Sequence, residues 1–439
     1  MIKIARKDIL ALSGMTFALF MGAGNIVFPP LLGYHSGTHG IVLTIVGFLV
    51  TAVVIPVAAL IAISRVGGEI KYITLSLGKR ISVVFASICF LFMGPLYVAP
   101  RTATVALETA AKSIPNFTSV RPFLVLLYFI LVAAISLKPE KLLRFVGFLL
   151  SPLKITGLIF IALTPFFVTG GGPLVQPVSV LPDAGNGFYD GIINGYLTMD
   201  TISALIFGGI ICQAVRTKNI EDKATISKVV AVAGGIAGAG MMIVYTGFFM
   251  LGKQSNLLLQ TATNGAQILH AYVQYIYGDI GIFILELLVF LACLITAVGL
   301  VTSSSRYFSS LFAINYKLVM VIVSAISLMM ANIGLDKLIY FSLPALTVIY
   351  PPGMVLVFLS LRKNGNQKND RTCRLLFYVS SLFGAISAFR MSAIGHCADK
   401  RIYDFIDLLP LNDKGLGWVL PCVLLYLVSE GAKKMRSIA

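Results

Sequence analysis

The feature that most constrains this chain is a series of apolar runs, since a helix of about 20 apolar residues is long enough to cross a lipid bilayer. The runs recur along all 439 residues, at 9–33, 41–63, 81–106, 122–137, 145–168, 190–213, 226–251, 280–304, 316–334, 338–361, 373–394 and 415–430. Charged residues make up only 12% of the chain, against about 25% in soluble domains. The pattern predicts an all-α integral membrane protein with twelve transmembrane helices, and it excludes a water-soluble enzyme and a disordered or fibrous chain.

The basic residues between the runs are divided unevenly between the two sides of the predicted membrane. When alternate connections are grouped from the N-terminus, one side holds 24 Lys and Arg side chains and the other holds 8. Basic connections of such proteins face the cytoplasm, so both termini are expected there. The net charge of +16 follows this pattern, and nucleic acid is not an expected partner. Arg101 and Lys154 lie inside runs.

Cysteine and histidine spacing gives no sign of an enzyme. The six cysteines form no CxxC pair, and the four histidines form no HExxH motif. A membrane-embedded enzyme would need a cluster of catalytic side chains, and a channel would often show a repeated filter sequence. A purely structural role would leave the ionisable Asp200 without a purpose. We therefore expect no enzymatic activity, no cofactor and no obligate protein partner.

The first run contains residues that a helix facing lipid would avoid: Gly22, Gly24, Asn25, Pro29 and Pro30. Gly costs about 1 kcal/mol relative to Ala inside a helix, and Pro lacks the amide hydrogen that continues it. Non-helical backbone at membrane depth survives where it lines a buried or watery cavity. The segment therefore predicts a broken helix. The alternative is a packing face of small residues with a proline kink.

The sixth run contains a second such segment. Gly195, Thr198 and Asp200 follow Gly191 and Asn194 within ten residues, and an ionisable side chain inside a span needs a buried partner or water. The first and sixth runs hold matching positions if ten runs form two repeats of five. Interrupted helices at matching positions are typical of the binding site of a secondary transporter.

An opened helix offers groups that suit a zwitterion. The amides at the start of one half carry partial positive charge and suit a carboxylate, whereas the freed carbonyls suit Na⁺ or an ammonium group. The eighth run adds four consecutive hydroxyls at 302–305. These could provide oxygen ligands for a cation, or they could bond to carbonyls one turn back in their own helix.

Five segments resemble those of a known family: GAGNIVFPPLLG (22–33), PLYVAPRTATVALE (95–108), GYLTMDTISALIFG (195–208), LACLITAVGL (291–300) and LPALTVIYPPGMVLVFLSL (343–361). Together they are similar to the branched-chain amino acid transport system II carriers, over nearly the whole chain. The resemblance implies a bacterial inner-membrane symporter that imports leucine, isoleucine and valine with Na⁺, within the amino acid–polyamine–organocation superfamily.

The same resemblance implies a LeuT-like fold, with two inverted five-helix repeats, broken first and sixth helices and two extra helices. The first repeat would cover 1–169 and the second 190–361, joined by an extracytoplasmic connector at 170–189. A basic cytoplasmic loop and the last two helices would occupy 362–439.

Particular residues take roles from the resemblance. The substrate carboxylate would meet the amides of Gly22, Ala23 and Gly24, and its amino group would meet Phe20 and Thr198. The implied substrate site consists of Phe20, Gly22, Ala23, Gly24, Asn25, Tyr196, Thr198 and Met199, and the implied sodium site of Ala18, Met21, Thr302 and Ser303. Sodium-coupled members of this fold have a Thr where this chain has Val301, which leaves one sodium ligand unassigned.

Lys154 allows a different kind of coupling. Its run, SPLKITGLIFIAL (151–163), resembles the fifth helix of proton-coupled or exchanging members, in which a lysine ammonium takes the place of the sodium ion. A buried lysine there could bind and release a proton near neutral pH. Alternatively, the side chain could extend to the cytoplasmic headgroups. We expect sodium coupling, with the lysine mechanism as the alternative and Asp200 as a second possible coupling residue.

Overall fold

The computed structural model describes residues 5–36, 40–137, 151–167, 187–259, 261–362, 371–391, 409 and 416–438, and these residues form helices and no strand. The first helix is in two halves, α1a (Arg6–Phe20) and α1b (Ala23–His35). It is followed by α2 (Ile41–Val66), α3 (Lys79–Thr109), α4 (Phe117–Ser136) and α5 (Ser151–Phe167). The sixth helix is also in two halves, α6a (Gly187–Leu197) and α6b (Asp200–Arg216). The remaining helices are α7 (Lys223–Gln254), α8 (Gly265–Phe312), α9 (Tyr316–Ala331), α10 (Leu335–Ser360), α11 (Arg371–Met391) and α12 (Val419–Ile438).

These helices are apolar enough for a membrane. Eight helical stretches in the described residues are long and apolar enough to span a bilayer, and α1a with α1b would make a ninth. Shorter apolar helices occur within α5, α9 and α12. Helices satisfy their own backbone hydrogen bonds, which lipid cannot do for them. The prediction of an all-helical membrane protein is confirmed for the part of the chain that the structure describes.

The packing of the first two helices matches that of the sixth and seventh. Each contact that α1 makes with α7 has a counterpart that α6 makes with α2. Helix α1a packs against α7 as α6a packs against α2, and α1b packs against α7 as α6b packs against α2. Helix α3 packs against α8, and α4 against α9. The two broken helices therefore lie side by side with two long helices on their flanks, at the centre of the bundle.

Polar contacts divide the connections between helices into two faces. We call the face at which α1a begins the amino-terminal face. There, Lys218 pairs with Asp8 at 2.8 Å, and Arg216 donates to the Gly67 carbonyl at 2.9 Å. At the opposite face, Tyr34 donates to the Leu259 carbonyl, Gln254 to that of Pro165 and Arg121 to that of Ala331. Each of these contacts joins connections that the charge pattern places on the same side.

The prolines of the first helix do not lie in its break. Pro29 and Pro30 are inside α1b, and the interruption is at Met21 and Gly22. The two halves are bent by 68° there. Proline removes one hydrogen bond, but a continuing helix can tolerate it where neighbouring helices support the backbone. Our placement of both prolines in the interrupted stretch was therefore wrong. The interruption at Gly22 was correctly placed, whereas Gly24 lies in the first turn of α1b.

The predicted domain division remains a prediction. Most of the connector at 170–189 lies outside the described residues, as do most of the basic loop after α10 and the connection before α12.

Candidate functional site

The break in the first helix leaves carbonyls and amides without partners in their own helix. Met21 has φ −71° and ψ 74°, and Gly22 has φ −103° and ψ −160°. The Gly22 amide donates to the Phe20 carbonyl at 2.7 Å and to Asn25 Oδ1 at 3.2 Å. It is therefore already engaged. The amides of Ala23 and Gly24 belong to the first turn of α1b and have no acceptor within that helix.

The break in the sixth helix lies at Thr198 and Met199. Met199 has φ 65° and ψ 19°, a left-handed conformation that is uncommon outside glycine. The Thr198 hydroxyl donates to the Gly195 carbonyl at 2.7 Å. Tyr196, just before the break, lies against Tyr350 with ring centroids 4.9 Å apart. The carbonyls of Leu197 and Thr198 are released from the helical pattern and point to a side chain of α3, Arg101.

Asp200 connects the two breaks. Its Oδ2 accepts from Asn25 Nδ2 at 2.6 Å and from the Tyr245 hydroxyl at 3.2 Å. Asn25 also donates to that hydroxyl. All three side chains are buried. They tie the first turn of α1b, the first turn of α6b and α7 together, so the two half-helices that begin at the breaks are held in a fixed relation.

Lys154 reaches the end of α1a. The side chain is 0% exposed, and Nζ donates to the Ala18 carbonyl at 2.8 Å and to the Met21 carbonyl at 2.5 Å. The lysine therefore does not extend to a membrane surface. Its ammonium group holds the two carbonyls that the family resemblance assigns to a sodium ion.

The hydroxyls of Thr296, Thr302 and Ser303 on α8 differ in their partners. Thr296 faces the break, where it donates to the Leu19 carbonyl at 3.3 Å and to the Ala292 carbonyl one turn back at 3.2 Å. The hydroxyls of Thr302 and Ser303 are buried without a hydrogen-bond partner. Ser303 lines a cavity on the amino-terminal face. No hydrogen bond joins Thr302 or Ser303 to Ala18 or Met21, and the sodium site remains a prediction.

Arg101 completes the centre of the bundle. It lies on α3, four residues after Tyr97, where the helix resumes beyond a wide turn at Phe92–Leu96. Its guanidinium donates to the Leu197 carbonyl at 2.8 Å and to the Thr198 carbonyl at 3.3 Å. A Cβ atom built on Gly24 would stand 2.6 Å from Nη2 of Arg101. One basic side chain therefore contacts both breaks.

Comparison with known proteins is consistent with this architecture. The model of the family described as "Branched-chain amino acid transport protein" matches residues 5–435. The chain belongs to this family. A branched-chain amino acid permease of Salmonella typhimurium is 37% identical over 429 residues, which is 97% of this chain and 96% of that protein. The branched-chain amino acid transport system 3 carrier protein of Pseudomonas aeruginosa is 40% identical over 418 residues, 95% and 94% of the two chains.

Two solved structures share the fold. A nucleobase-cation-symport-1 family transporter has a TM-score of 0.61 at 14% identity, and covers 97% of this chain and 92% of its own. A second structure, MhsT in complex with L-phenylalanine, has a TM-score of 0.58 at 18% identity, and covers 88% and 98%. As a member of the branched-chain amino acid transport family, the chain is a transporter protein and not an enzyme, as its sequence predicts.

The protein has a cavity of about 860 Å³ at its amino-terminal face. The cavity is lined by α3, α6b, α8 and the connection after α2, and includes Phe90, Ile206, Ser303 and Arg306. Ile206 is less than two turns along α6b from Asp200. The cavity therefore approaches the breaks from one face of the bundle.

Sequence analysis left Arg101, Tyr245 and Thr296 without assigned roles at the site. Arg101 could have been found, because an ionisable residue inside a span is itself a signal. Glu286, also ionisable and unassigned, lies elsewhere. It accepts from Ser113 at 2.5 Å at the opposite face, beside His270 and Asp279.

Proposed function

We propose that this protein imports branched-chain amino acids across the bacterial inner membrane by cation-coupled symport, with alternating access to a site between the broken helices. The observation that carries the proposal is the contact between Lys154 and the carbonyls of Ala18 and Met21 at the break. Carbonyls freed at a helix break hold the coupling cation or proton in carriers of this kind, and the amides that begin the next half-helix suit the carboxylate of the substrate. The family and the named functions of the relatives support this substrate class.

The proposed architecture has twelve spans in two inverted repeats of five, followed by two more helices. The packing pairs that exchange α1 with α6 and α2 with α7 support the repeats. The basic residues support cytoplasmic termini. In this orientation, the cavity beside Ser303 and Arg306 opens to the cytoplasm and is the route by which substrate leaves.

The substrate would lie across the two breaks. Its carboxylate meets the first-turn amides of Ala23 and Gly24, and its ammonium meets carbonyls freed at the end of α6a. Its apolar side chain packs beside Phe20, whose ring contacts Phe207 at a centroid distance of 6.1 Å. Leucine, isoleucine and valine present this combination of a zwitterion and a branched apolar group.

For coupling, the geometry favours the lysine mechanism over the sodium site that the sequence analysis placed first. The Lys154 ammonium already donates to both carbonyls, and a sodium ion beside it would be repelled because like charges interact strongly at low dielectric. Proton binding and release at Lys154 would make and remove the charge that holds α1a. Sodium remains a second candidate because the buried hydroxyls of Thr302 and Ser303 have no partner.

The deciding experiment measures uptake of labelled leucine into proteoliposomes, first against Na⁺ concentration at fixed pH and then against a proton gradient without Na⁺. The variants are Lys154→Met, Thr302→Ala and, as a control at an exposed lysine, Lys317→Ala. Methionine keeps approximately the volume of the lysine side chain. We expect uptake to follow the proton gradient, and Lys154→Met to lose accumulation while retaining leucine exchange. Thr302→Ala and Lys317→Ala should behave as wild type.

Sodium coupling predicts a different outcome. Uptake would require Na⁺, Thr302→Ala would raise the Na⁺ concentration needed, and uptake by Lys154→Met would remain Na⁺-dependent. That result would replace the lysine mechanism with the sodium site. Failure to transport leucine under any gradient would reject the substrate class.

A further inference from the structure

The charge of Arg101 has no anionic partner among its hydrogen bonds. The side chain is 2% exposed. Its guanidinium donates to the carbonyls of Leu197 and Thr198 and to the Tyr97 hydroxyl at 3.1 Å. These acceptors are all neutral, and Nε is buried with no partner at all. The arginine is therefore only partly satisfied where it lies.

The ion pairs in the described residues do not include Arg101. They join Lys71 to Glu69, Lys218 to Asp8 and Arg362 to Glu430. Asp200 lies near enough to interact with Arg101 through space, but its carboxylate is hydrogen bonded to Asn25 and Tyr245. A buried charge is stable when it is both paired and fully hydrogen bonded. Arg101 is poised to accept an anion.

The surroundings of Arg101 show where such an anion would bind. The guanidinium lies between two aromatic rings, with Cζ 4.9 Å from the Tyr97 centroid and 5.6 Å from that of Phe28. It also lies against Gly24, in the first turn of α1b. The guanidinium therefore lies beside the first-turn amides of α1b, which have no acceptor within their helix. A carboxylate accepts from both kinds of donor, and bidentate pairing with arginine suits its geometry.

We propose that Arg101 binds the carboxylate of the transported amino acid, together with the first-turn amides of α1b. This inference rests on the proposed function. In the empty carrier, the guanidinium holds the carbonyls of Leu197 and Thr198. When a zwitterion enters, the guanidinium transfers to its carboxylate, and the two carbonyls become available to the ammonium group. Arg101 thereby makes the site selective for amino acids over amines.

The test compares two ligands that differ only at the carboxylate, leucine and leucinamide, as competitors of labelled leucine binding to the purified carrier. The variants are Arg101→Gln, Arg101→Lys and a matched control, Arg121→Gln. Like Arg101, Arg121 donates to a backbone carbonyl, that of Ala331 at 3.3 Å, and its Nε lacks a partner. It lies at the opposite face, away from the breaks.

We expect wild type to prefer leucine over leucinamide by about 100-fold or more, because the guanidinium is left without its anion in the leucinamide complex. Arg101→Gln should weaken leucine by a similar factor and change leucinamide binding less than about threefold, so the preference disappears. Arg101→Lys should give an intermediate preference, since an ammonium cannot bind in bidentate fashion. Arg121→Gln should match wild type.

Equal losses for leucine and leucinamide in Arg101→Gln would mean that the arginine only supports the fold, and would overturn the inference. If Arg101→Gln does not fold, Arg101→Lys serves as the test. If Arg101→Lys prefers leucine over leucinamide as strongly as wild type does, the inference is also overturned. A wild-type carrier that binds no leucine would instead refute the proposed function, so the two failures are distinguishable.

Discussion

Asn25 shows how one side chain can stabilise a break in a membrane helix. Its Oδ1 accepts from the Gly22 amide, and its Nδ2 donates to Asp200 and Tyr245. Buried polar groups in lipid must find partners within the protein. The same residues that make the break possible therefore also satisfy it, and removal of one should affect both stability and transport.

Tyr245→Phe tests this cluster. Loss of the hydroxyl removes a donor to Asp200 and an acceptor for Asn25, so we expect the free energy of unfolding to fall by about 1–3 kcal/mol and the KM for leucine to rise. The control is Tyr128→Phe, which is equally buried and loses only a bond of 3.0 Å to Thr102. That variant should be less stable than wild type with an unchanged KM. Chemical denaturation measures the stability of both variants, and uptake kinetics measure their KM for leucine. Equal KM values for Tyr245→Phe and wild type would contradict the prediction.

Gly24→Val should abolish leucine uptake while the protein remains in the membrane. A Cβ atom at Gly24 would stand 2.6 Å from Arg101 Nη2 and 3.2 Å from Thr198 Cα. The arginine tip could move, but the backbone of the sixth helix could not move without altering the break. Gly235→Ala is the control, because no atom lies within 4 Å of a Cβ atom there, and it should transport normally. Uptake by Gly24→Val at the wild-type rate would remove the first break from the substrate site.

At the scale of helices, the positions of both breaks could be predicted from composition, because a cluster of glycine and polar residues at membrane depth is tolerated mainly where the backbone lines a buried or watery cavity. The contacts across the breaks could not. Lys154 meets carbonyls more than 130 residues away, and whether it does so depends on the rotation of α5 about its own axis. The contacts of Arg101 and Thr296 could not be predicted for the same reason. Sequence periodicity gives the buried face of a helix, but it does not give the height at which that face meets another helix.

Helix α6a meets α2 at a spacing that only glycine permits. A Cβ atom at Gly191 would clash with the Thr44 carbonyl, and one at Gly195 with the Thr51 hydroxyl. Thr51 also donates to the Ile192 carbonyl at 3.1 Å. Small residues four apart commonly allow such close approach in membranes.

Gly191→Ala should therefore separate α6a from α2 and lower the free energy of unfolding by about 1–3 kcal/mol, the usual cost of overpacking. Gly235→Ala again serves as the control. It adds the same methyl group to a helix with open space and should be neutral or slightly stabilising. Thermal unfolding of both variants in the same detergent measures the difference. Equal stability of the two variants would show that α6a can move away from α2 without cost.

At the scale of the whole molecule, the distribution of basic residues and the contacts between connections independently indicate the same two groups of connections. The charge pattern groups alternate connections by their Lys and Arg content, and the contacts between connections, such as Asp8 with Lys218 and Tyr34 with Leu259, stay within those groups. A chain in which one predicted helix did not cross would bring connections of opposite groups together. The two broken helices then run in opposite directions through the centre, as inverted repeats require.

Cysteine labelling in intact cells tests this arrangement. Lys112 lies at the opposite face and Thr217 at the amino-terminal face, and both are exposed. With a maleimide that cannot cross membranes, Lys112→Cys should be labelled in intact cells, and Thr217→Cys only after the cells are permeabilised. The positive-inside pattern is the physical reason, because moving the basic amino-terminal face across the membrane opposes both the surface charge of the lipid and the membrane potential. Wild type gives the background, since the cysteines of the described residues are buried. Labelling of Thr217→Cys in intact cells would show that the orientation is the reverse of the expected one. The cavity beside Ser303 would then be an entrance for substrate.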